Sequence, residues 1–120
     1  RQRQMCIRDS SNRQDLLLAT QDKLTSIGMK ITESKDEAQL HIVINGETKK
    51  GSHIIGHKMY TSFLKMTFQI YDQKSHLIFS KTIDDIKGIQ LSYEKSEINA
   101  YSKGKLIIKD QIIPEFFENL

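Results

Sequence analysis

The feature that most constrains the fold is the alternation of apolar and polar residues in the middle of the chain. Between residues 60 and 72, one side of the alternation carries Tyr60, Leu64, Met66, Phe68 and Ile70. Residues 38–47 alternate in the same way. Because successive side chains of a β-strand point to opposite faces, this period of two predicts strands with one buried face. The chain is therefore expected to fold around a sheet with one covered face.

Helical patterns lie on both sides of these strands. Residues 13–27 repeat apolar side chains near the 3.6-residue period and stop at Gly28, which is typical of a helix C-terminus. A second helix is predicted to begin after the N-cap residue Ser92. Every fourth residue of this helix lies in one stripe: Ser96, Ala100, Gly104, Ile108, Ile112, Phe116 and Leu120. The small half of the stripe favours close packing on the sheet, and Pro114 predicts a kink or a break.

A third long strand is predicted over residues 77–86, with Asp84 and Asp85 at its end, and a short strand over residues 29–32. The order of elements is then α-(β)-β-β-β-α. We assign the fold class α+β, with an antiparallel sheet and two helices packed on one face. A length of 120 residues fits one domain of this kind.

The basic residues are concentrated at the start of the chain. The formal net charge is +3, yet residues 1–14 hold every Arg, and residues 15–120 hold 14 Lys against 14 acidic residues. The stretch that surrounds Cys6, Gln-Met-Cys-Ile-Arg-Asp-Ser, resembles translated sequencing-adapter sequence and shows no apolar periodicity. We predict that residues 1–14 form a disordered or non-native tail and that residues 15–120 form a single α+β domain.

Patterns typical of catalysis and cofactor binding do not occur in the sequence. His53 and His57 are four residues apart, but they lie in a glycine-containing connection without cysteine ligands, which disfavours a metal site. Asp84 and Asp85 are adjacent in a predicted strand, so their carboxylates point to opposite faces. We therefore expect no catalytic residue, no metal, no cofactor and no enzymatic activity. An enzyme of unrecognised type stays open as an alternative.

The order of elements is also similar to that of a double-stranded-RNA-binding domain. Basic side chains in the long strand connection are the ones that would reach phosphates: Lys49, Lys50, His53, His57 and Lys58. However, the last helix begins with Glu94 and Glu97 around one Lys, and residues 15–120 have no net charge. This charge pattern lacks the footprint of nucleic-acid binding. RNA binding is kept as an alternative, and no nucleic-acid partner is expected.

The connection over residues 45–58 is long for a hairpin and carries Ile54 and Ile55 among polar residues. Two interpretations stay open: a docking tip for a partner, or strands that extend into the connection with the two Ile at the edge of the sheet. Thr61 and Lys65 lie on the second face of the predicted sheet. The candidate partner-binding residues are Lys49, Lys50, His53, Ile54, Ile55, His57, Lys58, Phe63 and Tyr71.

Several short motifs in residues 15–120 can be compared with a known family. They are Ala38-Gln-Leu-His-Ile on one strand, the hairpin from Asp72 to His76, and Ala100 on the last helix. With these motifs the chain resembles a domain of bacterial envelope lipoproteins and their relatives. These include the curli-secretion lipoprotein, the penicillin-binding-protein activator lipoproteins and flagellar assembly protein T. The family pattern has Ala-Asp-Tyr on the strand, Gly in place of His76 and Ala in place of Ser96.

The resemblance implies a non-catalytic, protein-binding domain without shared catalytic residues. It implies a periplasmic or outer-membrane-associated location, an envelope protein as partner, and contact with the membrane only through a lipid anchor upstream of this chain. On this basis, the predicted function is that of an interaction or assembly domain of a bacterial envelope lipoprotein.

Overall fold

A computed structural model describes residues 4–10, 13–34, 36–51 and 58–118. Its strands are β1 Gln4–Asp9, β2 Lys30–Ile31, β3 Leu40–Lys50, β4 Tyr60–Asp72 and β5 Leu77–Gln90. Its helices are α1 Asp15–Ser26, α2 Tyr93–Ile107 and α3 Ile113–Glu118, with a π-helical turn, Ile108–Ile112, between the last two. The strands form one open sheet in the order β2-β1-β3-β4-β5. The predicted fold class, α+β, is confirmed.

The first strand corrects the prediction of disorder for the part of residues 1–14 that it covers, Gln4–Asp9. β1 lies between β2 and β3 and is parallel to both, with Met5 fully buried opposite Leu40. The sheet is therefore mixed, and the prediction of a purely antiparallel sheet is wrong. The parallel pairs arise because α1 carries the chain from the end of β1 back to the start of β2. The strand signal is weak in the sequence, since only Met5 and Ile7 alternate on the helix-facing side. That residues 1–14 are non-native stays a prediction.

Of the two central strands, β4 has its predicted bounds, whereas β3 begins at Leu40 and continues to Lys50, beyond its predicted end at residue 47. β3 and β4 pair without interruption from Leu40 opposite Asp72 to Lys50 opposite Ser62. This pairing favours the interpretation in which the strands extend into the connection over residues 45–58. Ile54 and Ile55 lie outside the described residues.

The fifth strand also continues beyond its predicted end. Asp84 and Asp85 form a β-bulge opposite Lys65, because Leu64 pairs with Ile86 whereas Met66 pairs with Ile83. Asp85 has a φ angle of 58°, in the left-handed region. The prediction that this acidic pair ends the strand is therefore wrong, since the extra residue of a bulge lets the pairing resume.

The helices pack on the face of the sheet that the alternation predicts to be buried. Leu64, Met66, Phe68 and Ile70 are buried there together with the small half of the α2 stripe. The approach is closest at Gly88 of β5, where an added Cβ would clash with the carbonyl oxygen of Ser96. Opposite it, the buried hydroxyls of Ser62 and Ser96 lie 2.6 Å apart in a hydrogen bond. The predicted close packing of this helix is thus confirmed.

The C-terminal helical segment contains one wide turn just before Pro114. The backbone N–H of Ile113 donates to the carbonyl of Ile108, five residues earlier. In a regular α-helix, a stripe of every fourth residue would rotate by about 40° at each step. A turn closed by i→i+5 bonds holds more residues and reduces that drift. Ile108, Ile112 and Phe116 consequently stay buried in one line with the residues of α2.

The turn between β4 and β5 is closed by Asp72. Its Oδ1 accepts hydrogen bonds from the backbone N–H groups of Lys74 and His76, each at 2.9 Å. Its Oδ2 lies 3.4 Å from Nδ1 of His76. Ser75 takes up the left-handed backbone conformation, with a φ angle of 64°. The predicted hairpin is thus held by side-chain-to-backbone bonds of the kind that Asp provides in turns.

We expect the pKa of Asp72 in the folded chain to lie below its ordinary value of 3.8, because the backbone N–H of His76, followed by that of Lys74, stabilises the carboxylate. The turn should therefore be fully stabilised above pH 3.8 and weaken as the pH falls through the lowered pKa. The measurement is an NMR titration of the Asp72 carboxyl carbon, compared with an unfolded peptide of the same hairpin. A midpoint equal to that of the peptide would contradict this turn geometry.

Candidate interaction surface

The face of β3, β4 and β5 opposite the helices carries a row of three large side chains. Phe63 of β4 pairs with Lys49 of β3 on one side and with Lys87 of β5 on the other. Phe63 is only partly buried, whereas its chain neighbours Ser62 and Leu64 point to the helices and are fully buried. The sheet thus presents an aromatic ring between two cations. We call these three side chains, Lys49, Phe63 and Lys87, the Phe63 row.

The next row toward the middle of the sheet carries acidic groups. Lys65 pairs with Glu47 and lies opposite the bulge of Asp84 and Asp85. Together the two rows surround a shallow depression of about 450 Å³, which Phe63 helps to line. Cations and carboxylates therefore alternate over this part of the face.

The Phe63 ring packs against a backbone without a side chain. A Cβ atom at position 51 would come within 2.8 Å of the ring. Gly51 also closes the β3–β4 ladder, because its N–H donates to the carbonyl of Thr61 at 2.8 Å. The ring is thus held at a fixed position on a paired segment of the sheet.

The end of this ladder is braced from the helical side by Tyr93, at the start of α2. The Tyr93 hydroxyl donates to the carbonyl of Gly51 at 3.1 Å. The Tyr60 ring packs edge-on against the Tyr93 ring at 4.8 Å, and Nζ of Lys50 lies 4.9 Å from that ring centre. Ser92 caps the helix by accepting from the N–H of Lys95, as predicted. These contacts connect the position of the Phe63 row to the helical layer.

The structure brings together only some of the candidate residues from the sequence. Lys49 and Phe63 are direct neighbours, whereas Lys50 lies on the helical side, over Tyr93. Tyr71 is eight residues further along β4, about 26 Å away at the rise of an extended strand. Lys58 is exposed just before β4. His53, Ile54, Ile55 and His57 lie outside the described residues.

Tyr71 belongs to a second depression, of about 440 Å³, at the other end of the same face. It pairs with His41, and its hydroxyl donates to Oε1 of Gln69 at 3.2 Å. Cys6 and Arg8 of β1 line this depression as well. Its lining therefore depends on the segment that resembles adapter sequence, so the Phe63 row is the stronger candidate surface.

Sequence reasoning did not find Lys87, which belongs to the Phe63 row, or Gly51, which packs against the Phe63 ring. Lys87 lies 24 residues after Phe63, and Gly51 lies 12 residues before it. Their proximity to Phe63 depends on the register in which the three strands pair. The alternation does not fix this register, because a shift of two residues leaves the same side chains on the buried face. Lys49 and Phe63 were the members of the row that the sequence offered as candidates.

The fold of this chain was compared with those of known proteins. No protein-family model matches the sequence, and no curated protein is similar enough to count as a match. Solved structures do match, and they include several bacterial lipoproteins. The predicted resemblance to bacterial envelope lipoproteins is thereby confirmed at the level of the fold.

Three of these structures span most of the chain. Rare lipoprotein B from Shewanella oneidensis has a TM-score of 0.62 at 12% identity, covering 97% of this chain and 95% of that chain. The minor lipoprotein from Acinetobacter baumannii has a TM-score of 0.58 at 18% identity, covering 98% and 94%. The PelC dodecamer from Paraburkholderia phytofirmans has a TM-score of 0.51 at 12% identity, covering 83% and 80%. Among the described residues, no helix has the length and apolarity that crossing a membrane requires.

Proposed function

We propose that the chain is a non-enzymatic interaction and assembly domain of a bacterial envelope lipoprotein, and that it binds a protein partner through the Phe63 row. The partner is an envelope protein, in the periplasm or at the outer membrane. The fold shared with bacterial lipoproteins supports the location. The observation that carries the binding role is the partly exposed Phe63 ring between Lys49 and Lys87.

The chemistry of the row suits a protein surface. Aromatic side chains are enriched among the residues that contribute most to protein–protein binding. Phe63 lies on a paired strand against Gly51, so little side-chain entropy is lost when a partner covers it. The mixed charges of Lys49, Lys87 and Glu47 around the ring favour a partner of complementary charge pattern and fix its orientation.

The proposal of an assembly role has one further support. The PelC protein from Paraburkholderia phytofirmans, which has this fold, was solved as a dodecamer. Subunits with this arrangement of helices and sheet are therefore able to associate through their surfaces.

Phe63→Ala is expected to weaken partner binding at least tenfold, because it removes the ring from the centre of the contact. The partner is first identified by placing a photoreactive residue at position 63 in the cells that produce the protein. Position 80, exposed on β5 well away from the Phe63 row, is the cross-linking control. Affinity for the purified partner is then compared between the wild type, Phe63→Ala and Thr67→Ala, a control in the same strand that pairs with Asn45 and Thr82.

Equal cross-linking from positions 63 and 80, or unchanged affinity of Phe63→Ala, would refute this surface. Affinity for duplex RNA that falls steeply with salt would support the RNA-binding alternative instead. Thermal unfolding of each variant separates a loss of binding from a loss of fold.

A further inference from the structure

A groove with exposed apolar walls lies between α1 and α2, on the outer side of the helical layer. It has a volume of about 410 Å³. Leu18 on one side is 53% exposed, and Leu106 on the other side is 60% exposed. The side chains that line the groove are Asp15, Leu18, Ala19, Asp22, Ser102, Lys105, Leu106 and Lys109.

The apolar side of α2 extends beyond the groove. Ile98 is 42% exposed and precedes Ser102 and Leu106 at intervals of four residues. Residues four apart lie on the same side of a helix. Single exposed Leu residues are common, but here Leu106 lines the same groove as Leu18, and Ile98 is exposed on the same side of α2. Three exposed apolar side chains on one surface mark a contact surface.

The charges of the groove are divided by sign. Asp22 lies on the α1 side, and Lys105 and Lys109 lie on the α2 side. Within the described part of the chain these three have no ion-pair partner, whereas Asp15 is paired with Arg13 at 3.0 Å. One wall of the groove is therefore acidic and the other basic.

The two helices run in the same direction. The Arg13 guanidinium lies over the Tyr101 ring, and Leu16, further along α1, is next to Gly104, further along α2. A twofold rotation about an axis parallel to the groove therefore brings α1 of one copy over α2 of the other at the same level. An axis perpendicular to the groove would instead place acid on acid and base on base.

We propose that this groove binds a second copy of the chain, in a symmetric dimer whose twofold axis is parallel to the groove. Asp22 of each copy then faces Lys105 and Lys109 of the other, and Leu18 and Leu106 pack across the axis. A symmetric contact uses the same patch twice, so it must be self-complementary, as this division of charge is. The surface is on the helical side of the sheet and is independent of the Phe63 row.

Charge reversal tests the pairing directly. Asp22→Lys alone and the double variant Lys105→Asp/Lys109→Asp alone are each expected to weaken self-association at least tenfold. An equimolar mixture of the two proteins should associate again, because both contacts of the mixed dimer then join opposite charges. The measurement is sedimentation equilibrium between micromolar and millimolar concentrations, at low salt and at high salt, where the wild-type dimer should weaken.

Two more variants separate the apolar contact from the fold. Leu106→Ser should weaken the dimer with little change in the unfolding midpoint, since the side chain is mostly exposed. Thr82→Lys, which adds a charge at an exposed position of β5 on the face of the sheet opposite the helices, should leave the dimer unchanged. A monomeric wild type at all concentrations, a mixture that fails to associate, or equal weakening by Thr82→Lys would overturn the proposal.

Discussion

Replacement of Met5 by Asp is expected to lower the free energy of unfolding by at least about 4 kcal/mol, because it buries an unpaired carboxylate in the core. Met5 is fully buried opposite Leu40, and its strand lies between β2 and β3. The matched control is Arg8→Asp, which places the same residue at an exposed position of the same strand. The control should change the stability by less than about 1 kcal/mol. Urea denaturation followed by circular dichroism measures both variants.

This pair of variants also decides the status of the first strand. If Met5→Asp were as stable as the wild type, residues 4–9 would not belong to the sheet. That outcome would return residues 1–14 to the disordered or non-native tail predicted from their composition.

Replacement of Gly88 by Ala is expected to destabilise the domain by about 3 kcal/mol, because the added methyl group would force α2 away from β5. The atoms in its way are backbone atoms: the carbonyl oxygen of Ser96 and, at 2.6 Å, the nitrogen of Ala100. Backbone in the middle of a helix does not move aside, whereas the end of a side chain does. Calorimetric unfolding gives the comparison with the wild type.

Gly104→Ala is the control, because it adds a methyl group to the same contact between α2 and the sheet. Its nearest neighbour is a methyl group of Leu64 at 2.9 Å, and Ala gains about 1 kcal/mol of helix propensity over Gly. The loss should therefore be much smaller than at Gly88. Equal losses at the two positions would contradict the close approach at Gly88.

Those parts of the fold that depend on short-range patterns were predictable from the sequence. The alternation from Leu64 to Ile70 identified the buried face of β4 correctly. Gly28 has a φ angle of 92°, as expected after a helix C-terminus. The stripe of every fourth residue in the C-terminal helical segment also faces the core. The wide turn over Ile108–Ile112, which keeps this stripe in line, was not predictable from the residues that precede Pro114.

Features that depend on long-range pairing were not predictable. β1 is recognisable as a strand only when β2 and β3 are in place on its two sides, since two alternating apolar residues are too few to define it. Asp84 and Asp85 are typical of a strand end, and only the register of Leu64 and Met66 with β5 shows that they form a bulge. The Phe63 row was not predictable as a unit for the same reason, because Lys49 and Lys87 come from two other strands.

The bulge in β5 also bears on whether the border of the sheet can pair with another chain. β5 is 14 residues long and forms one border of the described sheet, and an unpaired border of that length is a template for fibril growth. Asp84 and Asp85 interrupt the backbone N–H and C=O groups along this border, and Lys81 and Lys87 place a charge on either side. Beyond the bulge, the Lys87 carbonyl accepts from Nζ of Lys103, and the Ile89 N–H donates to Oδ1 of Asn99. An incoming strand would find no flat run long enough to extend the sheet. We therefore expect the acidic pair, which the sequence suggested as the end of a strand, to disfavour edge-to-edge association of β5.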